Sequence, residues 1–162
     1  MHQECSHLER DPVVHIYADG IFDLFHHGHA QAFKRAKALF PRSHLTVGVA
    51  SDEDTHRLKG PTVMTCRERA ESVRACRWVD AVIEGAPWVI SPKWMDAHGL
   101  DYVVHDEAPY PGEGVADVYA EVKAAGRFIP VPRTEGISTT DLIQRILDNA
   151  EVFRQRNQKR QA

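Results

Sequence analysis

Short runs of β-branched and aromatic residues alternate with helix-spaced segments along the whole of this chain, and that alternation limits its fold more than any other feature. Residues 13–18 (VVHIYA) read as a strand ended by Asp19-Gly20, and 45–50, 79–83, 102–105 and 128–131 read as four more. Between the first two, apolar residues recur at Ala32, Phe33, Ala36, Leu39 and Phe40 until Pro41 ends the helix. Thr65-Cys66-Arg67-Glu68 is a capping box opening a helix to about Cys76. Ser91-Pro92 starts a short helix that Gly99 stops, and residues 115–125 suit another, followed by Gly126. Ser138-Thr139-Thr140-Asp141 caps a final helix with apolar positions Leu142, Ile143, Ile146, Leu147, Ala150 and Phe153, which runs on into a polar, basic end. The pattern predicts an α/β domain, a Rossmann-like open parallel sheet with helices on both faces. Ligands of such sheets bind beyond the carboxyl ends of the strands, so the loops after the first, fourth and fifth strands are the ones to search.

The 162 residues suit one domain: a flexible lead-in over 1–11, a folded domain over 12–157 and a basic tail over 158–162. With 20 Lys+Arg against 23 Asp+Glu the formal charge is −3, which argues against nonspecific capture of nucleic acid. Cys5, Cys66 and Cys76 are an odd number without paired spacing, so a disulfide framework is not expected and a reducing, cytoplasmic setting is. No apolar run approaches the ~20 residues needed to span a bilayer, and the N-terminus lacks a signal-peptide core.

Directly after the first strand comes His26-His27-Gly28-His29, three histidines around a glycine at a helix start. Unpaired N–H groups and the positive end of the helix dipole favour a bound phosphate there, and Gly28 lets a ligand approach the backbone. His26 and His29 can donate to phosphate oxygens, more strongly if protonated. Two alternatives stay open: a metal site on His26 and His29, supplemented by Asp19 or Asp23, and an ordinary polar helix start. Arg133-Thr134-Glu135-Gly136-Ile137-Ser138-Thr139 follows the fifth strand and opens the last helix, forming a second anion cradle that should face the first.

These two stretches resemble the HxGH and RTEGIST signatures of the cytidylyltransferases, in particular those acting on phosphocholine. The likeness runs from about Val14 to Asn157 and takes in residues 17–25, Lys59-Gly60, Arg77-Trp78-Val79-Asp80, Ala86-Pro87-Trp88 and His105-Asp106. The resemblance implies an HxGH-type nucleotidyltransferase fold and Mg²⁺-dependent transfer of CMP from CTP to phosphocholine. The products would be CDP-choline and pyrophosphate, a step toward phosphatidylcholine. It implies His26, His29, Lys59 and Arg133 as catalytic groups, and Ile21, Phe22, Gly28, Arg133, Gly136, Ile137, Ser138 and Thr139 around CTP. Asp19, Trp88, His105, Asp106, Tyr110 and Tyr119 would hold phosphocholine, because a quaternary ammonium is recognised by aromatic faces and carboxylates. A homodimer is also implied, with Arg77-Trp78-Val79-Asp80 near its contact. The same chemistry on phosphoethanolamine or glycerol 3-phosphate, and a non-catalytic zinc- or nucleotide-binding protein, are the alternatives. Nothing after Asn157 resembles the amphipathic membrane-binding helix of animal phosphocholine cytidylyltransferases.

Overall fold

The structure, a computed structural model, describes residues 12–161; the expected lead-in over 1–11 lies outside them. Five strands, β1 (Val14–Gly20), β2 (Ser43–Ala50), β3 (Ala81–Ala86), β4 (Tyr102–His105) and β5 (Phe128–Pro130), form one sheet in the order β3-β2-β1-β4-β5, with every pairing parallel. The chain order reverses between β1 and β4, which is where the open-sheet rule puts a ligand.

Alternation along β1 explains the two cores. Ile16 points into a cluster with Phe33 and Ala36 of α1 (His27–Lys37) and Ala70 and Val73 of α3 (Cys66–Arg74). Tyr17 points the other way, into a cluster with Met95 of α4 (Pro92–Ala97) and Val122 of α5 (Ala120–Ala124). Both sheet faces are therefore covered, as the apolar strands require. The interior is mostly apolar, with Asp23, Thr46, Thr55 and a fully buried Arg69 as exceptions.

The capping signals hold. Thr65 and Glu68 form the reciprocal box at α3, and Ser91 caps α4 with Pro92 behind it. Four expectations need correction. A seven-residue helix, α2 (Asp52–Leu58), follows β2 where none was expected. β3 starts at Ala81 rather than 79, because the Asp80 carboxylate instead takes the Leu45 N–H (2.6 Å) and the Lys37 ammonium (2.7 Å). The helix expected over 115–125 is only α5, since the Asp117 carboxylate binds the N–H groups of Tyr110 and Tyr119 and Val118 N–H donates to Tyr110 O, folding 110–119 into a strap. The final helix is two: α6 (Thr139–Asp148) ends at Asn149, and α7 (Ala150–Gln161) continues through 158–161. Arg77-Trp78-Val79-Asp80 closes the turn from α3 to β3, with Trp78 packed on the first core under Lys34 and Arg77.

Candidate active site

Above the carboxyl ends of β1 and β4 lies a cavity of about 530 Å³, within the usual range for small-molecule sites. The loop from β1 to α1 forms one wall and is wound tightly: Phe22 (φ 56°) and Leu24 (φ 46°) both sit in the left-handed region, a strain of about 1–3 kcal/mol each that is typical of functional loops. Gly28 is needed for a separate reason. A Cβ there would come within 2.9 Å of both the His26 ring and Ile137 on the opposite wall.

The histidine pair is a capping box built from imidazoles. Gly28 N–H donates to His26 Nδ1 (3.1 Å) and His26 N–H donates to His29 Nδ1 (3.4 Å), while the rings stack with centroids 3.7 Å apart. Because Nδ1 accepts in both, the proton of each neutral ring stands on Nε2, which leaves two N–H donors for a ligand. Burial, reinforced by the neighbouring histidine, lowers the pKa of His26 and takes that of His29 down to about 3. Those shifts favour neutral rings at pH 7, whose available donors are the two Nε2–H groups.

Cations come from elsewhere. Arg133 lines the cavity from the β5–α6 loop, is 80% exposed, and pairs through Nε with Asp106 (2.9 Å). Arg35 of α1 anchors that loop by donating to Pro132 O (3.0 Å) and Thr134 Oγ1 (2.9 Å). Lys59 stands on the opposite rim with its ammonium over the Tyr110 ring, 4.2 Å from the centroid. The N-terminus of α6 also faces the cavity, but two of its hydroxyls are engaged: Ser138 Oγ caps Asp141 N–H (3.0 Å) and Thr139 Oγ1 donates to Asp23 O (2.9 Å). First-turn N–H groups, rather than these hydroxyls, are what the helix presents to an anion.

A smaller cavity of about 40 Å³ opens beside the first and shares Asp19, Gly20, Ile21, His105 and Tyr110 with it. Trp88 and Tyr110 lie 5.9 Å apart, His105 sits 5.0 Å from the Tyr119 ring, and Tyr119 Oη donates to Asp19 Oδ1 (2.6 Å). Desolvation raises the pKa of Asp19, although the Tyr119 hydroxyl and His105 oppose it. Tyr119 is 3% exposed and belongs to the second core, so it serves packing and cavity together. Trp88 Nε1 and His105 Nδ1 are buried without a hydrogen-bond partner.

The structure thus brings His26, His29, Lys59, Arg133, Ile21, Phe22, Gly28, Ile137, Ser138, Thr139, Asp19, His105, Asp106 and Tyr110 to the large cavity, and Trp88 and Tyr119 to the small one. It does not bring Gly136, which lines neither; its φ of 77° turns the chain ahead of the Ser138 cap. Asp23 is withdrawn from any metal site on the histidines, because Val63 N–H (2.8 Å) and Met64 N–H (2.9 Å) take both its oxygens. Sequence reasoning missed Thr55, Pro61, Thr62 and Ile143 on the cavity wall.

The family described as Cytidylyltransferase-like matches residues 17–145, a span running from β1 into α6 that includes the histidine loop and the Arg133 loop. This chain belongs to the cytidylyltransferase-like family. Among its relatives, a probable choline-phosphate cytidylyltransferase of Schizosaccharomyces pombe is 52% identical over 89% of this chain and 40% of its own length. Choline-phosphate cytidylyltransferase A of Rattus norvegicus is 49% identical over 99% of this chain and 44% of its own. The cytidylyltransferase-like chain therefore spans less than half the length of these curated relatives. A lipopolysaccharide core biosynthesis protein from Thermoplasma volcanium GSS1 shares the fold at a TM-score of 0.59 and 20% identity, covering 75% of this chain and 98% of its own.

Proposed function

We propose that this domain transfers CMP from CTP to phosphocholine. The observation that carries the proposal is a cage of Trp88, Tyr110, Tyr119 and Asp19 sharing a wall with a cavity built for anions. A quaternary ammonium has no conventional hydrogen to donate, so aromatic faces and one carboxylate suit it. A phosphate attached to it would reach the large cavity past His105, whose Nδ1 makes no hydrogen bond and has Asp106 Oδ2 3.6 Å away. An oxygen of that phosphate attacks the α-phosphorus of CTP, the bond from the α-phosphorus to the bridging oxygen breaks, and pyrophosphate leaves with the electron pair. The attacking oxygen is already ionised at neutral pH, so no general base is needed. Catalysis is positioning and charge neutralisation. The Nε2–H groups of His26 and His29 donate to the transferring phosphate, Lys59 draws the two reactants together, and Arg133 with the first turn of α6 holds the triphosphate.

The carboxylates at the cavity do not fit a divalent ion held by the protein: Asp19 is bound to Tyr119, Asp23 to two backbone N–H groups and Asp106 to Arg133. Magnesium enters this reading on the phosphates of CTP, as is usual for that ion. Free Cys66 and Cys76 support a cytoplasmic setting. Among the described residues no helix is long and apolar enough to cross a membrane. The exposed Ile146, Leu147 and Val152 of α6 and α7 support a homodimer, which light scattering would check.

Pyrophosphate release from CTP and Mg²⁺ tests the reaction with phosphocholine, phosphoethanolamine or glycerol 3-phosphate as acceptor. Turnover should be fastest with phosphocholine, and Tyr110→Ala should raise the KM for phosphocholine far more than that for CTP. No release with phosphocholine overturns the reaction; equal KM effects overturn the cage.

A further inference from the structure

Lys59, whose ammonium rests on the Tyr110 ring, belongs to a segment with no fully buried residue. No side chain from 59 to 64 is buried, and Val63 is 62% exposed. Apolar contacts cannot fix where this loop sits, so its polar anchors must. At the near end, the N–H groups of Lys59 (2.8 Å) and Gly60 (3.0 Å) donate to Thr55 O of α2. At the far end, Asp23 accepts the N–H groups of Val63 and Met64. Arg69 meets the same residue from the other side, donating to Met64 O (3.3 Å), so Met64 is held at both its N–H and its C=O.

The two anchoring side chains also reach the rest of the site. Arg69 donates to Ile21 O (2.6 Å) in the loop after β1, to Ala50 O (2.8 Å) at the end of β2, and to Asp52 Oδ1 (2.8 Å) at the start of α2. Asp23 takes the Thr139 hydroxyl on its carbonyl. The Asp23 carboxylate and the Arg69 guanidinium, both buried, therefore tie the histidine loop to the lysine loop, and the Asp23 backbone carbonyl adds the first turn of α6. The Arg69–Asp52 ion pair alone would not need these further bonds, which join loops that share nothing but a cavity. We propose that Asp23 and Arg69 are positioning residues, which fix the Lys59 loop against the His26–His29 pair so that the lysine reaches the reacting phosphates.

The proposal rests on the cytidylyl-transfer reading for the role of Lys59, and its test separates the two. Asp23→Asn keeps the volume but turns an amide donor toward a backbone donor. Hydrogen exchange at the Val63 and Met64 amides should accelerate in this variant while amides of β1 and β2 keep their protection. Unchanged exchange at both overturns the anchoring, whether or not the protein turns over any substrate. In wild-type background, Asp23→Asn should lower kcat on the order of 100-fold, the scale of a 1 Å misplacement, with the phosphocholine KM nearly constant. In a Lys59→Ala background the same change should cost less than about threefold, because its effect runs through the lysine. Full multiplicative losses in the double variant overturn the positioning role. Val63→Pro, which deletes the same hydrogen bond from an exposed position, replaces Asp23→Asn in the cycle should that variant fail to fold. Absence of pyrophosphate release from the wild-type protein defeats the functional reading alone and leaves the exchange result standing.

Discussion

Burial, with the His26 ring beside it, disfavours a charged imidazole at His29 and depresses its pKa to about 3. Its unfolded value is near 6.5, so between those limits the unfolded chain binds the extra proton. Stability contributed at neutral pH is then lost as pH falls from 6.5 toward 3. His29→Asn should flatten the decline in Tm between pH 7 and 4 and, under the proposed transfer, lower kcat at least 100-fold at pH 7, because the shorter amide cannot place an N–H where Nε2–H stands. An unchanged Tm profile would contradict the neutral buried imidazole. Asp19 runs the opposite way. Its folded pKa is raised, so the native state binds more protons just above 3.8, and ionising the group lowers stability as pH rises through that window. Asp19→Asn keeps an acceptor for the Tyr119 hydroxyl and should hold or raise Tm at pH 7. The same variant should increase the phosphocholine KM tenfold or more. A Tm lower by several degrees would show that the carboxylate is there for the fold.

Elements differ in how their sequences announce them. β2 is a clear apolar run, yet its one glycine is not a flaw in the strand. A Cβ on Gly48 would meet Tyr17 Oη at 1.9 Å, and that hydroxyl is itself buried without a partner. Gly48→Ala should therefore cost about 1–3 kcal/mol by overpacking, read as a Tm lower by roughly 3–10 °C; an unchanged Tm would mean that the Tyr17 ring moves freely. The strands and the caps of α3, α4 and α6 were legible because apolar period and hydroxyl caps are local signals. α2 was not, since DEDTHRL buries only Thr55 and has no apolar stripe; its sole announcement was Ser51 placed three residues before Asp54. α5 was overdrawn because helical spacing in 115–119 says nothing of the Asp117 carboxylate capturing two N–H groups. In the site, histidine loop and arginine loop could be paired from their places after strands. Arg69 could not be found, because an arginine inside a capped helix reads as solvated until tertiary contacts show otherwise. The same holds for the state of the histidines, which depends on ring stacking and burial rather than on spacing.

At the scale of the molecule, the sheet is a partition. Phe22 and Phe25, which shape the histidine loop, rest on the core that lies under α1 and α3. Trp88, Tyr110 and Tyr119, which shape the cage, rest on the core under α4 and α5. Loosening one layer should disturb one substrate. Met95→Ala, in the second core, should raise the KM for phosphocholine more than that for CTP, and Val73→Ala, in the first, should do the reverse. Each costs up to a few kcal/mol, so both are best measured well below the melting temperature. Equal effects from either side would mean that the strands transmit packing defects across the sheet. If they do not, the choice of acceptor and the machinery of nucleotidyl transfer are inherited on separate faces. A lineage could then exchange one alcohol phosphate for another by rebuilding a single hydrophobic layer, with the reaction itself left untouched on the far side of five strands.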